Sequence, residues 1–239
     1  MAQQIRYAIY AMPAENHPLA ATAARWLGRD PYRNAAVAFD AVTGLGTTER
    51  ESLVAAAARY GFHGTLLAPF APAEGLGAND LAAAVDGMAS ELPPVTIPEL
   101  ALLRLGDFFA LGPSGPAEDL QRLADRIVVD GQLLRAPLSE AELARRRKAG
   151  LTPAEDANLV TWGYPYVFRS FRYHMTLTGP VAGTDAPRIE TILRRYFDDF
   201  IDKPFVIDTL ALCVEPAPGA PFRVEFTAAL TGSNMAGQA

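Results

Sequence analysis

The chain is nearly empty of cysteine: Cys213 stands alone among 239 residues. One thiol cannot close an internal disulfide, and such poverty suits a reducing cytoplasm, the compartment expected here. Long apolar runs are missing too. No stretch approaches the roughly 20 residues that span a bilayer. The opening "MAQQIRYAIY" has no basic start followed by a long apolar stretch, so neither a signal peptide nor a membrane partner is expected. Positive charge is in deficit, with a net charge of −6 and a pI of about 5.1. That argues against a general affinity for nucleic acid, which needs a basic face. A small phosphate pocket is still open, because a few local cations suffice there. Histidine is scarce as well, with three in all. Apolar bulk is not: 50% of the residues are hydrophobic, enough for one sizeable core or two small lobes sharing one.

The pattern along the chain mixes strands and helices without strict alternation. "IRYAIYAMP" reads as a first strand ending at Pro13, and "HPLAATAARWLG" as a helix closed by Gly28. "TTERESLVAAAARYG" predicts a helix with Thr48 and Glu51 as its capping box. "VTIPELALLRLGDFFALGPSG" predicts two strands turning at Gly106-Asp107. Ser139 with Glu142, and Thr152 with Glu155, mark two further capped helices. "PFVIDTLALCVEP" and "PFRVEFTAAL" read as two closing strands. This order favours an α+β fold over a doubly wound parallel sheet. A helix, a histidine strand, a helix and a strand pair occur twice, which suggests two half-domains related by a pseudo-twofold. We expect one domain over residues 1–230, with a helical insertion at about 133–171 and a disordered tail at 231–239.

The repeat is carried by "RYGFHGTLLAPF" and "FRYHMTLTGPV". Both place His, any residue, Thr and Leu in that order, as His63-x-Thr65-Leu66 and His174-x-Thr176-Leu177. With so few histidines, two falling in this pattern is a coincidence of roughly one in ten thousand. Side chains alternate along a strand, so each His shares a face with its Thr while Leu turns the other way. A lone strand histidine is usually just a hydrogen-bonded core residue; a pair with matched hydroxyls calls for chemistry. Imidazole titrates near neutrality, so one copy takes a proton while the other gives one. Two hydroxyls can hold the oxygens of an oxyanion. A phosphodiester uses both, and a strained cyclic one asks the least of the catalyst. A metal is not expected: there is no His-x-His, no His-Glu-x-x-His and no acidic cluster near either motif.

The paired motifs resemble those of the two-histidine phosphoesterase superfamily. "RYAIYAMP", "WLGRD", "LLRAPLSEAELARRR" and "WGYPYV" further resemble its branch associated with phosphonate-degradation genes. The resemblance implies a bilobal α+β fold, with antiparallel sheets flanking a central cleft, helices outside, and the His strands facing one another. It implies a metal-independent phosphodiesterase without cofactors, with His63 and His174 as general acid and base and Thr65 and Thr176 on the phosphate. It also implies a small phosphorylated substrate, such as a phosphorylated ribose cyclic phosphate. Leu67 stands where the branch often has lysine.

Other residues are open to two readings. Tyr7 on the first strand is a substrate contact or a core tyrosine. Arg172 shares a strand face with His174 by the same alternation and is a candidate for a second phosphate; Arg135 is a candidate by resemblance alone. Tyr166 in "WGYPYVF" either stacks over the cleft or packs the insertion. "ARRRK" (144–148) is a solvated helix face or a lid of cations. His17 is expected at the surface, and the chain is expected to be a monomer. The rival functions are an RNA 2′,3′-cyclic-end phosphodiesterase, which predicts a broad basic track, and a non-catalytic phosphometabolite-binding protein, which would not need both histidines.

Overall fold

A computed structural model describes residues 5–233. Its strands are β1 (Arg6–Ala11), β2 (Arg29–Asp30), β3 (Ala35–Ala36), β4 (Gly64–Phe70), β5 (Val95–Leu105), β6 (Phe108–Pro113), β7 (Met175–Thr176), β8 (Lys203–Ile207), β9 (Thr209–Glu215) and β10 (Arg223–Ala229). Its helices are α1 (Pro18–Leu27), α2 (Thr47–Tyr60), α3 (Ala78–Glu91), α4 (Glu118–Asp130), α5 (Glu140–Arg147), α6 (Pro153–Trp162) and α7 (Ala186–Tyr196). Eight strands form one sheet in the order β10-β9-β1-β4-β7-β6-β5-β8, and β2 and β3 pair separately. All pairings in the large sheet are antiparallel, so the α+β expectation holds. Four strands stand on each side of the β4–β7 seam, which puts the two histidine motifs at its centre. Among the described residues no helix is long and apolar enough to cross a membrane.

Local chemistry accounts for several elements. Gly106 provides the positive φ (63°) that a two-residue hairpin turn requires, and Leu105 pairs with Phe108 across it. The boxes at Ser139–Glu142 and Thr152–Glu155 cap α5 and α6 as the spacing predicts. Thr48 does not cap α2. The N-cap lies two residues earlier, at Gly46, so Thr48 lies inside the first turn. His17 has a structural post: its Nδ1 accepts the Leu19 N–H at 3.1 Å and caps α1.

The stretch read as one closing strand is two. It breaks at Asp208, and the halves go to opposite parts of the sheet, β8 to the edge beside β5 and β9 between β1 and β10. Residues 133–171 fold as α5 and α6 between short 3-10 turns. Thr231 and Gly232, expected at the head of a disordered tail, donate backbone hydrogen bonds to Ala89 and Leu92; residues 234–239 lie outside the described residues.

Most helices bury against one face of the sheet. Leu19 and Trp26 of α1, Leu81 of α3, Ile127 of α4 and Leu193 of α7 share a core there with Ile9 and Ala11 of β1. The opposite face of β1 and β9 carries a smaller cluster: Ala8, Tyr10, Met12, Ala211, Cys213 and Phe222. That second face is where the candidate site lies.

Candidate active site

Antiparallel pairing of Gly64 with Met175 sets the motifs side by side and head to tail. Each histidine then neighbours the other motif's threonine, and diagonal neighbours in such a pair are about 7–8 Å apart. A phosphate group fits between two imidazoles at that spacing. The face is fixed by the flanking strands. Thr65 pairs with Tyr10 of β1, and Thr176 with Ala110 of β6. Leu66, Met175 and Leu177 turn into the main core, as the alternation predicts for the two leucines.

Glycine at 64 is a steric requirement. A Cβ there would collide with the Tyr173 ring, itself packed in the core.

The two imidazoles are held in the same way. His63 Nδ1 lies 2.9 Å from the Gly61 carbonyl, and His174 Nδ1 lies 2.8 Å from the Arg172 carbonyl. A carbonyl only accepts, so Nδ1 carries a proton in both rings and Nε2 is the nitrogen that can take or give one. His63 Nε2 is 3.1 Å from Thr65 Oγ1. Tyr10 stacks on the His63 ring, with centroids 3.7 Å apart and planes at 26°, while Phe108 lies 5.7 Å from the His174 ring. Burial pushes the His63 pKa down to about 4; the Gly61 carbonyl opposes this, and the charge of His174 adds to it. His63 is therefore a neutral base at physiological pH, close enough to His174 to sense its charge. Among the described residues no group of three His, Cys, Asp or Glu side chains could hold a metal ion.

Not every expected residue arrives. Tyr7 faces the main core, 7% exposed, because the period-2 alternation puts Arg6, Ala8 and Tyr10 on the site face instead. Leu67 would share the face of His63 and Thr65 in a regular strand. Between the Tyr10–Thr65 and Ile9–Leu67 pairs β4 has one residue too many, and this bulge turns Leu67 into the core. Arg172 is exposed, with no ion pair among the described residues; its backbone carbonyl is what serves the site. Tyr166 is 40% exposed and stands edge-on to Tyr164, with ring centroids 5.5 Å apart. Arg135 donates from Nε to Gln132 Oε1 (2.9 Å) and from Nη2 to the Thr161 carbonyl (2.7 Å), which leaves Nη1.

Two features were missed. Tyr10 is fully buried, its hydroxyl has no partner among the described residues, and burial raises that hydroxyl's pKa well above the usual value. Alternation sets Tyr10 on the face opposite Tyr7, but which of the two faces is the core emerges only in the fold. The second is Glu215, a fully buried carboxylate held by Arg6, Arg59 and the Gly219 N–H (3.0 Å). Burial alone would raise its pKa; the Arg6 hydrogen bond and the other donors bring the net result below the usual value. Nothing in the sequence spacing links Arg6 or Arg59 to Glu215.

Among solved structures, the chain is similar to TT0787 of Thermus thermophilus, with TM-score 0.45 and 17% identity, covering 97% of this chain and 100% of that one. It is also similar to E. coli LigT complexed with phosphate, with TM-score 0.41 and 12% identity, covering 96% and 99%. By sequence it is 39% identical over 221 residues to a protein of Janthinobacterium sp. (strain Marseille) named ribose 1,5-bisphosphate phosphokinase PhnN, covering 91% of this chain and 49% of that protein. A protein of the same name from Laribacter hongkongensis (strain HLHK9) is 36% identical over 220 residues, covering 92% and 50%. The chain thus spans about half the length of the curated relatives it matches. The profile of one family covers residues 65–223, from the first motif's threonine through the whole of the second motif, and on that match the chain belongs to the family described as "Protein of unknown function (DUF1045)".

Proposed function

We propose that the chain is a metal-independent phosphodiesterase that opens a small cyclic phosphodiester. The observation that carries this reading is the shared pose of the imidazoles, each with Nδ1 on the carbonyl two residues back, which leaves Nε2 for proton transfer; in His63 that nitrogen lies 3.1 Å from the Thr65 hydroxyl. His63 takes the proton of an attacking water through Nε2. The water oxygen bonds to phosphorus as the opposite P–O bond of the ring breaks. His174, entering the step as the imidazolium, gives its Nε2 proton to the departing alkoxide, and the product is a phosphate monoester. Thr65 and Thr176 donate hydrogen bonds to the non-bridging oxygens as charge rearranges.

The curated relatives, about twice as long, are named for ribose 1,5-bisphosphate. That name supports a phosphorylated ribose as the sugar and a place in phosphonate breakdown. A phosphokinase acting through a P-loop would call for a glycine-rich loop ending in Lys and Ser or Thr. This chain's two lysines, Lys148 and Lys203, are followed by Ala and Pro, which favours the hydrolytic reading for this half.

The test is phosphorus NMR in EDTA with a ribose 1,2-cyclic phosphate 5-phosphate, a 2′,3′-cyclic nucleotide and an RNA with a cyclic end. Opening of the sugar cyclic phosphate, lost in both His63→Ala and His174→Ala, is the expected result. Turnover of RNA ends alone, turnover abolished by EDTA, or binding without turnover would each overturn it.

A further inference from the structure

Helix α5 ends in three consecutive arginines, and they are not equivalent. Arg147 pairs with Asp156 on α6 at 2.6 Å. Arg145 is exposed. Arg146 is half-buried, with its guanidinium carbon 5.7 Å from the centre of the Tyr164 ring. Its Nε is buried and has no hydrogen-bond partner among the described residues, nor does any carboxylate there form an ion pair with it. The acid that acts on it most, Glu142, is committed to the helix cap at Ser139.

The surroundings add positive charge. Arg146 and Arg135 are near enough that Arg146's charge disfavours Arg135's, and Arg6 acts on Arg146 in the same sense. The acceptors of Arg135 are an amide and a carbonyl, so its charge is uncompensated. Arg6 shares the single carboxylate of Glu215 with Arg59, which leaves that group one positive charge in excess. A chain with net charge −6 thus has an excess of positive charge around Arg146. This arginine wall lies towards the imidazoles: Tyr164 is near enough to Tyr10 to bear on its titration, as Tyr60 does on that of Tyr164, and the Tyr60 ring centre lies 6.2 Å from that of His63. A buried guanidinium N–H without an acceptor is costly unless an anion completes it, and the group's planar fork suits a phosphate.

We propose that Arg146, with Tyr164 and Arg135, forms a second anion subsite that binds a phosphate monoester carried by the same substrate whose cyclic diester lies between His63 and His174. The assignment rests on the phosphodiesterase reading for the identity of the substrate, and on the arginine wall for the subsite itself.

The test compares turnover of a ribose 1,2-cyclic phosphate with and without a 5-phosphate. In the wild type kcat/KM is expected to favour the 5-phosphorylated sugar by about 10- to 100-fold, the worth of one or two charge-assisted hydrogen bonds. In Arg146→Ala and in Arg146→Gln this ratio falls towards one. A ratio unchanged in both variants, or no preference in the wild type, overturns the subsite. If the wild type opens neither sugar, the phosphodiesterase reading fails, and calorimetry with ribose 5-phosphate decides the subsite by itself. Binding weakened about tenfold or more in both variants supports it; binding unchanged, or absent from the wild type, overturns it.

Discussion

Lowering the pH should cost this protein stability through one histidine. His63 has a folded pKa of about 4 against an ordinary value of 6.5. The unfolded chain therefore takes up a proton at His63 before the folded one does. Stability from keeping it neutral is fully present above pH 6.5, is lost as pH falls below that value, and levels off once the pH passes about 4. At pH 5 the loss is about 2 kcal/mol, from linkage at about 1.36 kcal/mol per pKa unit. The imidazole keeps some exposed surface, so this figure is a ceiling. The assay is urea unfolding of wild type and His63→Asn at pH 7 and pH 5. Asparagine removes the titration and the stacking on Tyr10 together, so absolute stability falls at both pH values. The quantity to read is the difference between pH values, where other titrating groups cancel. The wild type should lose about 1–2 kcal/mol more than the variant between the two. Equal losses would refute the reasoning. The same low value should move the acidic limb of kcat/KM well below 6.5, and a limb at 6.5 would show that His63 is not the base.

Three further outcomes are expected. Thr176→Ala should lower kcat about 100-fold, in the range for one lost oxyanion donor, with little change in melting temperature; an unchanged kcat would remove that hydroxyl from the phosphate site. Glu215→Gln leaves Arg6 and Arg59 facing a neutral amide and should cost about 3–5 kcal/mol in denaturant unfolding. Because its folded pKa is depressed, that carboxylate stabilises the protein at neutral pH and ceases to as the pH falls through its folded value, so the penalty should shrink in strong acid. Gly64→Ala drives a methyl into the Tyr173 ring and should cost about 1–3 kcal/mol in thermal unfolding. An alanine variant as stable as wild type would mean the ring has room to move.

The placement of the candidate site residues was legible wherever one rule of alternation sufficed. His63 with Thr65, and His174 with Thr176, needed only period two and a repeat. The rule failed where the backbone departs from it: the extra residue in β4 sends Leu67 to the core, where no alternation would put it. It was silent on which face of a strand is the core, so Tyr7 and Tyr10 were indistinguishable until helices covered one side. It could not show that Arg172 serves through its carbonyl, since main-chain roles leave no mark in residue identity. The break at Asp208 was hidden because β8 and β9 are both apolar, and only their separate destinations in the sheet divide them. Arg146 could not be told from its neighbours in a basic run, since partnering is a tertiary property.

The sheet order also bears on when the protein becomes competent. Tyr10, which stacks on His63, lies on a strand flanked by β4 and β9, and pairs with Ala211 on the latter. Gly64 pairs with Met175. These are contacts of high sequence separation, and the loop-closure entropy must be met before they reward the chain. During synthesis the first strand waits, one edge uncovered, until β9 has emerged. Refolding followed by turnover would accordingly report the closing steps of assembly, after the helices had already formed.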